Sequence, residues 1–319
     1  METRILNGSG YKDKIFASIK EEISALNGSE ERPGITFIAM TGNEPLLKYT
    51  IALHEQAARE LGFKVKTEIL SCEEKEEILF EIINNLNEDE SVHAIVLLQP
   101  MPKHINAINI MNHIDPVKEV EGFHTAHLVT MLSRDERKIM YPMVLPTALN
   151  ELFLDAGIGK TEGSEWVFVA DDEFISRPFT NMVVKTACPQ VVPDNCSIMI
   201  VNKNSSRLAD QIQRADFLVV ISKCPGYIQR EWLKPGVCIV DVYSNLVDEV
   251  PSKKHPGIML PVIRGGVFTE TVNYVAGVIA PCPGGLMPVV LAVLFSNALK
   301  AHKLIHTISN QKNIHFVPG

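Results

Sequence analysis

Apolar runs of strand length alternate with helix-length segments along most of the 319-residue chain. In the first half, "ITFIAM" (35–40), "KVKTEIL" (64–70) and "AIVLLQ" (94–99) are strand candidates. Helical periodicity follows the first two, and the helix predicted over 44–61 ends at Gly62, a residue type common at helix C-termini. Strand, helix, strand in this order implies right-handed crossovers and a mostly parallel sheet.

A second alternating block begins near residue 146 with a predicted linking helix over 146–157. Four buried strands are then predicted by "WVFVAD", "SIMIVNK", "FLVVIS" and "CIVDVYS", a series typical of an open Rossmann-like sheet. We therefore expect an α/β fold with two α/β domains. One domain is 1–145, completed by a strongly apolar helix over 289–305, and the other is a Rossmann-like dinucleotide-binding domain over 146–288.

Composition excludes several classes of protein. The formal net charge is −8 and no Lys/Arg run provides a basic face, so a nucleic-acid partner is not expected. The six cysteines show no CxxC spacing and several lie in apolar stretches, which predicts buried thiols in a reducing compartment and no metal site. No signal peptide or apolar run of membrane-spanning length is apparent, so we expect a cytoplasmic protein with no membrane partner.

The stretch "WVFVADDEFISRP" (166–178) raises a question about charge. A buried strand that runs into a helix N-terminus is where a doubly wound fold usually holds a dinucleotide phosphate. Here the strand meets Asp171, Asp172 and Glu173 instead. Two like charges about 4 Å apart repel by roughly 4 kcal/mol at an effective dielectric near 20, so this turn opposes a bound phosphate.

Three further polar motifs stand at the ends of predicted elements. "LLQPMPKH" (97–104) ends a buried strand, "DPVKEVEGFHTAH" (115–127) places carboxylates and histidines around one glycine, and "APCPGGLMP" (280–288) precedes an apolar helix. Together with "RILNGS", "GNEPLLKYTIALHEQAARELGF" and "LKPGVCIVDVYSN", they resemble motifs of the methylenetetrahydrofolate dehydrogenase/methenyltetrahydrofolate cyclohydrolase family over nearly the whole chain.

The resemblance implies two α/β domains with a deep cleft, a reduced folate as substrate, a nicotinamide cofactor on the C-terminal domain and a homodimer. It implies oxidation of 5,10-methylenetetrahydrofolate to the 5,10-methenyl form, with the cyclohydrolase step in doubt. Mapped onto this sequence, the implied catalytic residues are His54, Gln99 and Glu121, and the implied substrate-binding residues are Tyr49, Thr50, His124, Pro281, Gly284 and Gly285.

The departures from the family pattern concern the same positions. His54 stands where the family has its catalytic lysine, and it is either a working base or a packing residue. Thr50 replaces a tyrosine, although Tyr49 is adjacent, and Glu121 replaces the folate-anchoring aspartate. The family's glutamine is either Gln99, displaced by one residue, or is lost to Leu98.

The nucleotide turn differs most from the family pattern. Ala170 and Ser176 stand where the family has glycines, and Asp171 stands where the family has an arginine. NAD is therefore the expected cofactor and NADP the less favoured one, unless Arg177 or Lys203 binds the 2′-phosphate. The full set of predicted cofactor-binding residues is Ala170, Asp171, Asp172, Ser176, Arg177, Pro178, Asn202 and Asn245.

Three functions compete at this point. The first is an active, NAD-dependent folate dehydrogenase. The second is a catalytically inactive paralogue that binds folate or nucleotide in a regulatory or structural role. The third is a metabolite-binding Rossmann module without a folate role, which the recognisable folate-side motifs disfavour.

Overall fold

A computed structural model describes residues 2–26, 32–42, 44–133, 141–171, 188–252 and 259–314. The chain divides into two compact units. The six-stranded unit comprises Met1–Asp13 and Leu145–Leu291, and the three-stranded unit comprises Lys14–Val144 and Ala292–Gly319.

Strands and helices alternate through most of the described chain. The strands are β1 (Arg4–Ile5), β2 (Gly34–Thr41), β3 (Lys64–Ser71), β4 (Ala94–Leu97), β5 (Glu165–Ala170), β6 (Ser197–Asn202), β7 (Phe217–Ile221), β8 (Cys238–Asp241), β9 (Asn245–Pro251), β10 (Met259–Arg264) and β11 (Val278–Ala280). The helices are α1 (Ser9–Ser24), α2 (Pro45–Leu61), α3 (Glu76–Glu88), α4 (Ala107–His113), α5 (Thr125–Ser133), α6 (Val144–Asp155), α7 (Leu208–Ile212), α8 (Thr269–Val272) and α9 (Leu286–Ile314).

The three-stranded unit is built on a parallel sheet of order β3-β2-β4. All of β2 except its last residue is buried, which explains its largely apolar sequence. Helix α2 follows with Pro45 in its first turn and ends at Gly62, whose φ of 96° lets its N–H bond back to the carbonyl of Ala58. Polar residues at the ends of β2 and β4 therefore meet at one edge of this sheet.

The six-stranded unit carries a parallel sheet of order β1-β11-β8-β7-β5-β6. Strand β5 pairs with β6 on one side and β7 on the other, so the chain reverses its winding direction at β5. Ligands of doubly wound folds bind beyond the carboxyl ends of the strands at such a switch point. The predicted α/β fold with a Rossmann-like parallel sheet is confirmed.

Two features were not expected from sequence. Strand β1 pairs with β11 and groups Met1–Asp13 with the six-stranded unit, whereas we had placed 1–145 together. An antiparallel hairpin of β9 and β10 also follows the sheet strands. Both elements are short or solvent-facing, so neither has the long apolar run that marked the other strands.

Helix α9 is longer than the apolar segment predicted over 289–305. Its stretch Leu286–Ile308 is long and apolar enough to cross a membrane by length and composition, contrary to our expectation that no segment would be. Most of that stretch is buried in the protein, and the Phe295 ring packs against Phe16 and Phe63 within the three-stranded unit. It is therefore a core helix.

Candidate functional site

A polar loop lies beside β4, and it contains the buried carboxylate of Glu119. This segment joins the edge of the sheet, because Ile95 N–H donates to the Lys118 carbonyl and Ile95 forms a bridge with Glu119. The Lys118 ammonium donates to the carbonyls of Leu86, Asn87 and Asp89 at 2.8 Å each and so caps the end of α3. The loop is thereby fixed at the carboxyl edge of the three-stranded sheet.

Two carboxyl groups of this loop have pKa values that are raised toward neutral pH. Burial raises the pKa of Glu119 to about 7, although backbone N–H groups oppose the shift. Glu121 is partly exposed as a residue, yet burial of its carboxyl group, and then the charge of Glu119, raises its pKa to about 8. That carboxyl group interacts with the backbone of Leu97, so it lies at the end of β4.

The His54 ring is hydrogen-bonded to the backbone of its own helix, α2. Its Nδ1 lies 2.8 Å from the Thr50 carbonyl, which fixes the proton on Nδ1, and its ring meets Phe37 of β2 edge-on at 5.6 Å between centroids. Burial of the ring lowers the pKa of His54 below its ordinary value. The Thr50 hydroxyl donates to the Leu46 carbonyl at 2.9 Å, and Tyr49 is exposed. Nε2 is therefore the His54 ring nitrogen that is left to act as a base.

Gln99 and His124 are both engaged locally. Gln99 follows β4, and its Oε1 accepts from the Met101 N–H at 3.2 Å. His124 begins the turn into α5, and its Nδ1 accepts from the Ala126 N–H at 3.0 Å. The pKa of His124 is lowered, mainly by burial. Both side chains stay partly exposed, so each can still reach a bound molecule.

At the switch point of the six-stranded sheet, the Asp171 carboxylate is bound by neighbouring donor groups. Its Oδ2 accepts from the Ser222 hydroxyl at 3.1 Å and from the Lys223 N–H at 2.7 Å, and the Lys203 ammonium lies 3.1 Å away. Lys203 also donates to the thiol sulfur of Cys224 at 3.1 Å. These contacts, that with Cys224 first, raise the pKa of Lys203. The carboxylate is 5% exposed, and it is a paired group rather than a free charge.

The other predicted cofactor residues are distributed along the same edge. Ala170 is buried at the end of β5. Asn202 ends β6, and its Oδ1 accepts from the Asn204 N–H at 2.9 Å. The buried Asn245 donates to the Ser222 carbonyl at 3.0 Å. The remaining predicted positions, Asp172, Ser176, Arg177 and Pro178, lie outside the described residues.

The Pro-Gly-Gly turn before α9 belongs to the six-stranded unit. Gly284 has a φ of 100°, and the Gly285 N–H donates to the Pro281 carbonyl at 2.7 Å. A Cβ on Gly285 would lie 2.6 Å from the Ala280 backbone, so this position requires glycine. A left-handed backbone therefore explains Gly284 and close packing explains Gly285 without a ligand, and a role of Pro281, Gly284 and Gly285 in substrate binding stays a prediction.

Three histidines of the three-stranded unit could in principle hold a metal ion. The side-chain ligand atoms of His93, His302 and His306 lie within 4.8 Å of one another. However, Nδ1 of His93 accepts from the Gly34 N–H at 2.9 Å, so neutral His93 carries its proton on Nε2 and has no free lone pair there. Lys118 and Lys64 add positive charge at this ring. The cluster does not fit a metal ion.

Sequence reasoning missed two contributors to these edges. Glu119 looked like one more loop carboxylate, although its neighbour Glu121 was singled out. Ser222 lies directly after β7 and had no motif of its own. Position could have indicated Ser222, because it directly follows a strand at the carboxyl edge of a parallel sheet, whereas Glu119 is bridged to Ile95 beside β4 and follows no predicted strand.

Comparison with known proteins covers both units. The family model for the tetrahydrofolate dehydrogenase/cyclohydrolase catalytic domain matches residues 6–121. The model for the NAD(P)-binding domain of the same family matches residues 144–306. The matched ranges together account for most of the chain, so the hypothesis of a Rossmann module without a folate half is wrong.

The sequence is similar to bacterial proteins along its whole length. It is 31% identical over 304 residues to the bifunctional protein FolD of Desulfosudis oleivorans, covering 95% of this chain and 98% of that protein. It is 32% identical over 305 residues to the FolD protein of Desulfatibacillum aliphaticivorans, with the same two coverages. Because these relatives are named bifunctional proteins, they lend no support to the inactive-paralogue hypothesis.

Solved structures share the fold. The Trypanosoma brucei methylenetetrahydrofolate dehydrogenase-cyclohydrolase, complexed with NADP and an inhibitor, has a TM-score of 0.80 at 23% identity and covers 95% of this chain and 98% of its own. The Campylobacter jejuni enzyme has a TM-score of 0.78 at 24% identity, with coverages of 94% and 99%. At these identities the likeness concerns the fold alone.

Proposed function

The chain belongs to the tetrahydrofolate dehydrogenase/cyclohydrolase family, and we propose that it oxidises 5,10-methylenetetrahydrofolate to 5,10-methenyltetrahydrofolate with NAD as hydride acceptor. The observation that carries this proposal is the presence of both family halves in one chain. Each half has polar side chains at the carboxyl edge of its parallel sheet, where ligands of α/β folds bind.

The folate-side roles follow from position in the three-stranded unit. Glu121 offers a carboxyl group at the end of β4, and Gln99 follows the same strand. We assign these two side chains to pterin recognition. Tyr49, Thr50 and His124 border the same edge and are assigned to substrate contact. Their task is orientation, because a hydride moves only when donor carbon and acceptor ring are held face to face.

The nucleotide-side roles follow from the switch point. The carboxyl ends of β5, β6 and β7 are adjacent there, and the buried Oδ1 of Asp171 has no hydrogen-bond partner among the described residues. A buried acceptor without a partner costs about 1–3 kcal/mol, so a ligand hydroxyl that donates to it is favoured. A nicotinamide dinucleotide fits this edge, and when bound it accepts the hydride.

The choice of NAD over NADP rests on the pairing of Lys203. Its ammonium lies 3.1 Å from the Asp171 carboxylate, and Asp171 and Cys224 already engage it. A 2′-phosphate at this place would have to compete with the Asp171 carboxylate for Lys203 and would be repelled by that carboxylate. A ribose hydroxyl brings no such charge.

The cyclohydrolase step is proposed to be weak. Hydrolysis of a methenyl carbon needs a base that manages the protons of an attacking water. His54 stands at the family's lysine position, but its Nδ1 is bonded to the Thr50 carbonyl and its ring packs on Phe37. An imidazole held in this way has one nitrogen left to act on water, and no described cation tunes it.

Calorimetric titration of the full chain with NAD, NADP and tetrahydrofolate tests the proposal. We expect tetrahydrofolate and NAD to bind, and NADP to bind more weakly than NAD. Formation of NADH from 5,10-methylenetetrahydrofolate is then followed by absorbance. Absence of tetrahydrofolate binding at millimolar concentration, or a lower dissociation constant for NADP than for NAD, contradicts the corresponding half of the proposal.

A further inference from the structure

We propose that Glu119 is a positioning residue of the folate site, which fixes the loop that carries Glu121 and His124. The inference rests on the proposed folate function and goes beyond it, because Glu119 itself is placed behind the loop rather than in contact with the substrate. Its side chain is 1% exposed, whereas Glu121 and His124 are both partly exposed.

The carboxylate of Glu119 accepts hydrogen bonds from three backbone N–H groups of the loop. Its Oε1 accepts from the Glu121 N–H at 2.9 Å, and its Oε2 accepts from the N–H groups of Gly122 at 3.1 Å and His124 at 2.9 Å. Successive N–H groups that converge on one anion form a concave binding site, and each bond to an ionised acceptor is stronger than a neutral one. The bonds set the direction in which the side chains of Glu121 and His124 leave the loop.

The opposite side of the loop is held as well. Gly122 has a φ of 82°, and a Cβ there would lie 2.7 Å from the Met143 backbone. The Val144 N–H donates to the Glu121 carbonyl at 3.0 Å, and the Asn297 amide donates to the Val120 carbonyl at 2.9 Å. The loop therefore has little freedom to shift as long as the Glu119 carboxylate remains in place.

The groups that face Glu119 supply few formal charges. From α5, His127 Nε2 lies 3.7 Å from Oε2, and burial, followed by the charge of His124, lowers the pKa of His127 to about 4, so the ring is neutral at pH 7. Tyr141 packs on the His127 ring, and the Lys300 ammonium of α9 lies on the Tyr141 ring at 5.8 Å from its centroid. Backbone N–H groups thus balance the carboxylate, and Glu121 is the titratable residue of the loop whose pKa its charge raises.

Glu119→Gln tests this role because it keeps the shape but replaces one acceptor oxygen with a donor. Loss of a hydrogen bond to a charged group costs about 1.5–3 kcal/mol, so we expect the dissociation constant of tetrahydrofolate to rise roughly 10- to 100-fold. NAD binds to the other unit, and its dissociation constant is expected to stay unchanged. Glu119→Asp keeps the charge but falls short of the N–H groups, and we expect an intermediate loss. If the Gln variant does not fold, the Asp variant provides the test of the positioning role instead.

Tyr141→Phe is the matched control. It removes a partly buried 2.8 Å hydrogen bond to the Val117 carbonyl on the same segment and leaves the Glu119 bonds intact. A merely structural role predicts that Tyr141→Phe and Glu119→Gln weaken tetrahydrofolate binding in proportion to their loss of melting temperature. Our proposal predicts weakened binding and a shifted pH dependence of binding for Glu119→Gln alone, because only that variant removes the like charge beside Glu121.

Amide hydrogen exchange in the ligand-free protein separates this inference from the proposed function. The N–H groups of residues 121, 122 and 124 are expected to exchange faster in Glu119→Gln and at the wild-type rate in Tyr141→Phe. Unchanged exchange, or wild-type tetrahydrofolate affinity in a folded Glu119→Gln protein, overturns the positioning role. If the wild type fails to bind tetrahydrofolate, the proposed function fails, and the exchange rates still decide whether Glu119 orders the loop.

Discussion

The ammonium of Lys203 lies 3.1 Å from Oδ2 of Asp171, at the ends of the neighbouring strands β6 and β5. This pair answers the question raised by an acidic turn at a dinucleotide edge. The carboxylate does not face a phosphate as an isolated charge, because a lysine, a serine hydroxyl and a backbone N–H all bind it. Under the proposed function, a 2′-phosphate bound here would have to compete with Asp171 for Lys203.

Asp171→Asn is expected to improve NADP binding relative to NAD. The amide no longer holds Lys203 by charge and no longer repels a phosphate, so we expect the ratio of the two dissociation constants to shift toward NADP by roughly tenfold or more, about 1.4 kcal/mol. Asp171→Arg is expected to shift it further. Calorimetric titration with both nucleotides measures the ratio.

Asp216→Asn is the control for this change. Its carboxylate pairs with Lys234 at 2.5 Å in the same unit and is placed at the opposite, amino-terminal end of β7. The NAD to NADP ratio is expected to stay at the wild-type value in this variant. An equal shift in both variants would mean that net charge, and not the Asp171–Lys203 pair, sets the preference.

The Asp171–Lys203 pair also shows what sequence could and could not predict. The apolar run before Asp171 marked a strand, and the strand did lead to the switch point of a parallel sheet. The partner was not predictable, because strand register brings Ala170 opposite Asn202 and so places Lys203 beside the carboxylate. Glu119 was missed for a related reason. Its partners are backbone N–H groups, which residue types do not reveal.

Gly265→Ala is expected to destabilise the six-stranded unit. A Cβ at this position would lie 1.9 Å from Oδ2 of Asp241, a fully buried carboxylate that accepts from the N–H groups of Gly266 and Val267. Overpacking of this kind costs about 1–3 kcal/mol, and here the displaced group is polar and bonded. Chemical denaturation measures the loss. Gly159→Ala is the control, because nothing lies within 4 Å of a Cβ there, and its stability is expected to stay near wild type.

His93 is expected to make the protein less stable in acid. Burial, and then the charges of His302 and His306, lowers its pKa to about 3. Well above the ordinary histidine pKa of about 6.5, His93 is unprotonated in both the folded and the unfolded protein, so it causes no loss of stability. As the pH falls below this value, the unfolded chain takes up a proton that the folded protein refuses, and stability falls by up to about 1.4 kcal/mol per pH unit until the folded pKa is reached.

His93→Asn tests that pH dependence. Its side-chain oxygen can replace Nδ1 as acceptor for the Gly34 N–H, while the titrating ring is lost. We expect the difference in unfolding free energy between wild type and variant to change steadily between about pH 6.5 and pH 4, to the disadvantage of the wild type in acid. His104→Asn removes an exposed ring and serves as control. A difference that does not vary with pH would show that His93 is not the responsible group.

His54→Lys is expected to create or raise cyclohydrolase activity. In the native protein Nδ1 is bonded to the Thr50 carbonyl, the ring packs on Phe37, and burial keeps the imidazole neutral, so we expect hydrolysis of 5,10-methenyltetrahydrofolate close to the uncatalysed rate. A lysine at this position has a longer reach and an amine whose pKa burial can lower into a useful range. His113→Lys, the same substitution at an exposed position of α4, is expected to have no effect. The alternative, that His54 is a working base, predicts a different result. If His54 is a working base, the native rate exceeds the uncatalysed one, rises through a pKa below the ordinary histidine value, and falls by about 10²–10⁴-fold in His54→Ala.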